Sequence, residues 1–174
     1  VQSEYLFELG GENKELAKAE ALELLKTENY RPKKGFEEDQ ITIIKVSKEL
    51  TLKTIKRLGM TKRVSKIILS SGQKNIEKVI EQLPLLELGK SSFAIRQICK
   101  NEVSERKIAV KIGERISIDN KIDLDNPDVK ILFYTGSRTI ISILEENSTT
   151  SYKSCLKHHV RYRPYFSPIS IHPR

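Results

Sequence analysis

An α+β protein built from two small modules and a basic carboxyl-terminal strap is what this sequence predicts, on three observations. Period-2 and period-3.6 hydrophobic patterns alternate up to about residue 144. Clusters of Gly, Pro, Asn and Ser punctuate them. Residues 147–174 contain no Asp or Glu but hold five Lys or Arg, all three His and three of the six Pro. With 174 residues, 38% of them hydrophobic, the chain can bury one ordinary core or two small ones, since a typical domain has roughly 100–150 residues.

The elements follow in order. Tyr5, Phe7 and Leu9 alternate as a strand, and Gly10-Gly11 turns the chain into a helix over 12–28 with Ala17, Ala21, Leu24 and Leu25 on one face. A polar stretch containing Pro32 and Gly35 leads to a buried strand over 41–46. Ser47 is placed to cap a helix over 48–58, which Gly59 ends. A strand over 64–69 closes at Ser71-Gly72, and Asn75 caps a short helix that Pro84 terminates. Residues 85–90 reset the pattern. A strand over 93–98 is followed by a helix over 104–116 with Ile108, Ala109, Ile112 and Ile116 turned inward. The Asn126-Pro127-Asp128 turn leads into a strand over 129–134, and Gly136 separates it from another over 138–144, the pair reading as a hairpin. The expected organisation is a first domain over 1–72, a second over 73–147 and a linker over 148–174.

Charge is the strongest functional signal. Of the net +8, the strap supplies five units through Lys153, Lys157, Arg161, Arg163 and Arg174, interleaved with Tyr152, Tyr162, Tyr165 and Phe166. Such a segment suits contact with polyphosphate, cations displacing counterions and rings stacking on bases, while the same composition also describes a segment without a core. Between Glu49 and Glu77 there is no acidic residue, and Lys53, Lys56, Arg57, Lys62, Arg63, Lys66 and Lys74 fall in that window. Lys107, Lys111 and Arg115 recur every four residues along one helix flank, with Arg96 and Arg138 on neighbouring strands. A charged helix face is also what any solvated helix shows; three basic clusters in one chain favour an anionic partner.

Signatures of chemistry are missing. The chain has no G-x-G-x-x-G, no Walker glycine-lysine loop, no G-x-S-x-G and no H-E-x-x-H, nor the Asp-Pro-Pro-aromatic tetrad of base-amino methyltransferases. Cys99 and Cys155 lack partners at zinc-site spacing, and His158-His159 have no nearby carboxylate to orient them. No run of about 18 apolar residues and no signal-peptide pattern occur, so no membrane partner and a cytoplasmic location are expected. The opening Val1 and the Pro173-Arg174 end are expected to be cuts from a longer protein; oligomeric state is not encoded legibly.

Three stretches together resemble the archaeal-type tRNA methyltransferases that modify the N2 amino group of guanosine 10. Tyr5-Leu6-Phe7-Glu8-Leu9-Gly10-Gly11-Glu12 and the Ala/Leu-rich helix after it look like the start of that family's ferredoxin-like domain. Asp123-Leu124-Asp125-Asn126-Pro127-Asp128-Val129, preceded by Lys107-Ile108-Ala109-Val110-Lys111-Ile112-Gly113, is similar to the THUMP domain, an RNA-binding module. The stretch from Arg161-Tyr162-Arg163-Pro164-Tyr165-Phe166 to His172-Pro173-Arg174 looks like the linker that enters the catalytic domain. The resemblance implies a ferredoxin-like domain, an α/β THUMP domain and a basic linker. It also implies tRNA as partner, held by its single-stranded 3′ end, and a catalytic domain beyond Arg174 that carries S-adenosylmethionine, so this chain alone is expected to bind no cofactor and to be no enzyme. A stand-alone THUMP adaptor that presents tRNA to a separate enzyme is the alternative, and a protein-interaction module a third reading. The charge-based RNA-binding candidates are Lys53, Lys56, Arg57, Lys62, Arg63, Arg96, Lys107, Lys111, Arg115, Arg138, Arg161 and Arg163; Asn126 and Pro127 are expected to set a turn.

Overall fold

A computed structural model of the chain describes residues 2–10, 13–72, 76–89, 91–98, 105–116 and 120–147. Its elements are β1 (Ser3–Leu9), α1 (Lys14–Thr27), β2 (Lys33–Glu38), β3 (Ile41–Val46), α2 (Leu52–Lys56), β4 (Thr61–Ser71), α3 (Ile76–Glu81), β5 (Phe93–Gln97), α4 (Glu105–Gly113), β6 (Val129–Thr135) and β7 (Thr139–Asn147). The strands form one seven-stranded sheet in the order β2-β3-β1-β4-β7-β6-β5. The fold is thus α+β, as its mixture of antiparallel and parallel pairs requires: β1 with β3, β2 with β3 and β6 with β7 are antiparallel, and β5 with β6 is parallel. β4 ends at Ser71, one residue before the expected boundary after Gly72, while two compact units, within Val1–Val64 and Ser65–Leu144, divide inside that strand. No helix of the described residues is long and apolar enough to cross a membrane.

In the first unit α1 starts where Asn13 Oδ1 accepts from Leu16 N at 3.0 Å, and Glu15 sits favourably in the first turn. It stops at Asn29, whose φ of 60° lets Tyr30 N reach back to Leu25 O at 2.9 Å. Ala17, Ala21, Leu22 and Leu25 bury against Tyr5, Phe7, Leu9, Ile44 and Val64. Two sequence expectations need correction. α2 begins at Leu52 and not at Lys48, because Thr51 accepts from Thr54 N at 3.2 Å, whereas the Ser47 hydroxyl donates to Tyr30 O at 2.9 Å and is spent there. The polar stretch around Gly35 is a strand: β2 is an edge, largely exposed, and so shows no apolar alternation. A side chain at Gly35 would press on Ile43 O at 3.0 Å, so glycine permits this pairing.

In the second unit Ile80, Ile108 and Ile112 of the helices cover Ile95, Ile131, Phe133 and Ile141 of the sheet. β6 and β7 form the expected hairpin, closed by Thr135 opposite Thr139 and by Gly136 N to Arg138 O at 3.0 Å. α4 ends at Gly113, three residues before the expected Ile116; the turn after it tightens through Arg115 N to Ile112 O and Ile116 N to Gly113 O, both 3.0 Å. The Asn126 turn is held by Asp123, whose Oδ1 accepts from Asp125 N and Asn126 N at 2.9 and 3.0 Å. Asp128 Oδ2 accepts from Ser92 N and Ser92 Oγ, each at 2.8 Å, and these bonds hold its carboxyl below the ordinary value of 3.8.

Candidate nucleic-acid interface

The first basic cluster sits on α2, and a buried polar network fixes that short helix. The Tyr30 hydroxyl lies 3.0 Å from Thr54 Oγ1 and accepts from Thr51 N at 3.3 Å, while Tyr5 Oη accepts from Leu50 N at 3.1 Å. Lys48 Nζ stands 4.4 Å from the centre of the Tyr30 ring. Lys53 and Lys56 are exposed on the helix. Arg57 is its C-cap and pairs with Glu28, which also accepts from the Thr54 hydroxyl. Thr54 first, then Arg57, depress the Glu28 carboxyl below 4.5.

β4 splits its two predicted cations. Lys62 Nζ reaches Gln40 Oε1 at 3.2 Å, with Glu8 Oε1 at 4.0 Å. Arg63 Nε lies 3.0 Å from Glu8 Oε2, a charge contact outside hydrogen-bond geometry, on a carboxylate only 6% exposed.

The second unit brings cations around α4. Lys107 is exposed; Lys111 Nζ pairs with Glu77 Oε1 of α3 at 2.6 Å, and that ammonium holds the Glu77 carboxyl below 4.5. Arg115 follows the helix, its carbonyl accepting from Leu86 N at 2.9 Å. Arg96 is exposed on β5 and donates to Leu124 O at 2.9 Å; Arg138 lies in the β6–β7 turn. Two open grooves flank α4. One of about 450 Å³ lies between α3 and α4 and is lined by Ile76, Ile80, Val110, Arg106, Lys107 and Lys111. The other, of about 620 Å³, runs over Ile95, Ala109, Val110, Gly113, Ile122 and Leu124, and Arg106 lines it too. Val110, Ile122 and Leu124 are 57, 70 and 58% exposed, so this groove offers apolar floor with Arg106 and Glu114 at its edge.

Arg106 lines both grooves, yet the every-fourth-residue count that selected Lys107, Lys111 and Arg115 steps over it; its signal was adjacency to Lys107. Arg161 and Arg163, with the rest of the strap, lie outside the described residues, as do Cys99, Asn75 and Ser104. Among the described residues no group of three or more His, Cys, Asp or Glu is placed to hold a metal ion.

No family model matches the chain, and no curated protein matches it. Solved structures do. The protein PH1313 of Pyrococcus horikoshii aligns at 18% identity with a TM-score of 0.58, over 81% of this chain and 54% of that one. A 4-thiouridine synthetase crystallised with RNA and bound ATP aligns at 16% and 0.52, over 83% of this chain and 41% of the synthetase. A protein of Clostridium difficile 630 described as a possible methylase aligns at 12% and 0.59, over 83% and 41%. At these identities the likeness establishes a shared fold, and the chain spans about half or less of each neighbour.

Proposed function

We propose that this chain binds tRNA for a modifying enzyme, its first unit being a ferredoxin-like domain and its second a THUMP domain. The β-α-β-β-α-β order of the first unit, with β4-β1-β3-β2 in its sheet, supports the ferredoxin-like reading. The observation that carries the function is the pair of grooves on α4, where Arg106, Lys107 and Lys111 outnumber Glu77 and Glu114 around apolar floor. Cations on the phosphates are one half of how single-stranded RNA is gripped; the floor here is aliphatic and offers apolar contact beside the Arg106 guanidinium. The RNA complex of the 4-thiouridine synthetase that shares this fold supports the same partner.

The enzyme we have in mind is a guanine-N2 methyltransferase acting on guanosine 10, with catalysis outside this chain. S-adenosylmethionine would need a strand-to-helix loop whose backbone N–H groups point at the ligand. After β1 the Gly10 N–H is instead spent on Met60 O at 2.7 Å, and a Cβ there would meet the same oxygen at 3.0 Å. We therefore place the cofactor outside this chain and assign no methyl-transfer step to its described residues.

Five cations on or near α4 (Arg96, Arg106, Lys107, Lys111, Arg115) engaging five phosphates give a logarithmic salt slope of about −3.5 to −4.5. Titration of the chain with tRNA between 50 and 200 mM salt, with a single-stranded polyphosphate of equal length as competitor, tests the reading. We expect that slope and preference for tRNA; equal affinity for the two polyanions refutes it.

A further inference from the structure

Among the described residues six large apolar side chains are at least half exposed, and three of them, Val110, Ile122 and Leu124, meet along the groove of about 620 Å³ on α4. Contiguous aliphatic surface left in water marks an association site. Charge in this groove is balanced: Arg106 is the one cation and Glu114 the one anion among its described lining residues, whereas three cations face two carboxylates in the groove on the α3 side. Arg106, Val110 and Glu114 line both grooves and so form the crest of α4 between them. They stand four residues apart. Glu114 N donates to Val110 O at 3.0 Å, so the helical rise continues through Glu114, and the two charges lie about 12 Å apart with Val110 midway. At that separation they do not pair with each other, and among the described residues neither has another ion-pair partner; Lys111, three residues before Glu114, is engaged by Glu77. A row that reads cation, apolar, anion is complementary to itself when reversed.

We propose that α4 is a homodimer interface, a second copy of this chain laying its own crest antiparallel across the first about a two-fold axis at Val110. Arg106 of each copy then meets Glu114 of the other, twice by symmetry. The helices cross at about 50°, the angle at which rows of residues four apart run side by side. Beside Val110 the neighbouring row carries Ala109 and Gly113, and a Cβ at Gly113 would meet nothing nearer than Ile95 Cδ1 at 4.0 Å, which leaves room for the opposing Val110. Ile122 and Leu124 extend the apolar contact. Lys107 and Lys111 come opposite Gly113 and Ala109 and not opposite each other, so like charges are kept apart. One helix crest with two loop side chains belongs to the contacts under about 1,200 Å², so the pairing is weak and transient. The inference shares Arg106 with the tRNA reading without resting on it, because it is tested in the absence of RNA.

Sedimentation equilibrium of the full chain under reducing conditions, from about 10 to 500 μM as a contact of that size requires, is the test. The weight-average mass should climb from that of one chain toward that of two. Arg106→Glu and Glu114→Arg should each weaken association about tenfold or more, since two attractions become two repulsions, and an equimolar mixture of the two variants should associate at least as tightly as the parental chain. Both positions are exposed, so the fold is retained. A single-chain mass at every concentration overturns the proposal, and so does association that neither reversal weakens or that mixing fails to restore. Methyl resonances of Val110, Ile122 and Leu124 that shift with single-stranded RNA but not with chain concentration overturn it too, the groove then being an RNA contact.

Discussion

Glu77→Gln should strengthen tRNA binding, and the size of the gain follows from the Lys111 pair. Lys111 Nζ is 2.6 Å from Glu77 Oε1, so a phosphate oxygen seated about 3 Å from the same ammonium lies about 6 Å from a like charge. Two unit charges at that distance in water repel weakly, and at 0.1 M salt the repulsion is screened to roughly half, which corresponds to about a twofold change in Kd; at 0.01 M it approaches threefold. Glutamine keeps the shape and removes the charge, so fold is held constant. Fluorescence anisotropy of labelled tRNA, titrated at both salt concentrations, reads the effect. The expected result is a Kd lower by about twofold at 0.1 M, with a larger gain at low salt, and Lys111→Glu should weaken binding at both. An unchanged or raised Kd for Glu77→Gln, with the parental salt dependence, would refute the placement of phosphate at Lys111.

Arg106→Ala with Lys107→Ala should reduce the magnitude of the salt slope by about 1.4 to 1.8, two phosphates' worth; an unaltered slope in the same titration places the RNA elsewhere. Tyr30→Phe removes the acceptor of Thr51 N and the partner of Thr54 in a buried site and should cost about 1–2 kcal/mol in urea unfolding, with Phe133→Ala in the second core costing about 3–5. Glu28 and Asp128 have folded-state pKa values below their ordinary 4.5 and 3.8, so they stabilise the fold above those values and lose that contribution as pH falls through the depressed ones. The thermal midpoint should therefore hold from pH 7 to about 5 and drop below about 4, and Glu28→Gln should make the acid limb shallower; a parallel limb contradicts the assignment.

How much of this was legible depended on whether a residue's environment is set by its own element. Buried strands such as β3 and β6 announce themselves by Ile41, Ile43 and Ile44 or Ile131 to Tyr134, and the β6–β7 hairpin by Gly136. Edge strand β2 did not, because an exposed strand has no apolar face to encode. Thr51 displaced Ser47 as a cap because Tyr30, 17 residues before Ser47, claimed the serine hydroxyl, a tertiary choice invisible to local patterns. At the candidate site, position along a helix was readable but neutralisation was not. Glu8, Glu28 and Glu77 come from distant segments to meet Arg63, Arg57 and Lys111, and so change the weight of each predicted cation. Arg106 gained its place from the two grooves, which exist only once α3, α4 and Ile122 to Leu124 are assembled.

The central claim is that this chain holds a tRNA by its single-stranded end. Its most direct test compares Kd at physiological salt for an intact tRNA and for the same tRNA shortened by its 3′-terminal unpaired nucleotides, with Arg106→Ala/Lys107→Ala measured alongside. The account predicts that shortening weakens binding and that the double variant loses most of this discrimination. Equal affinity for the two RNAs would contradict it.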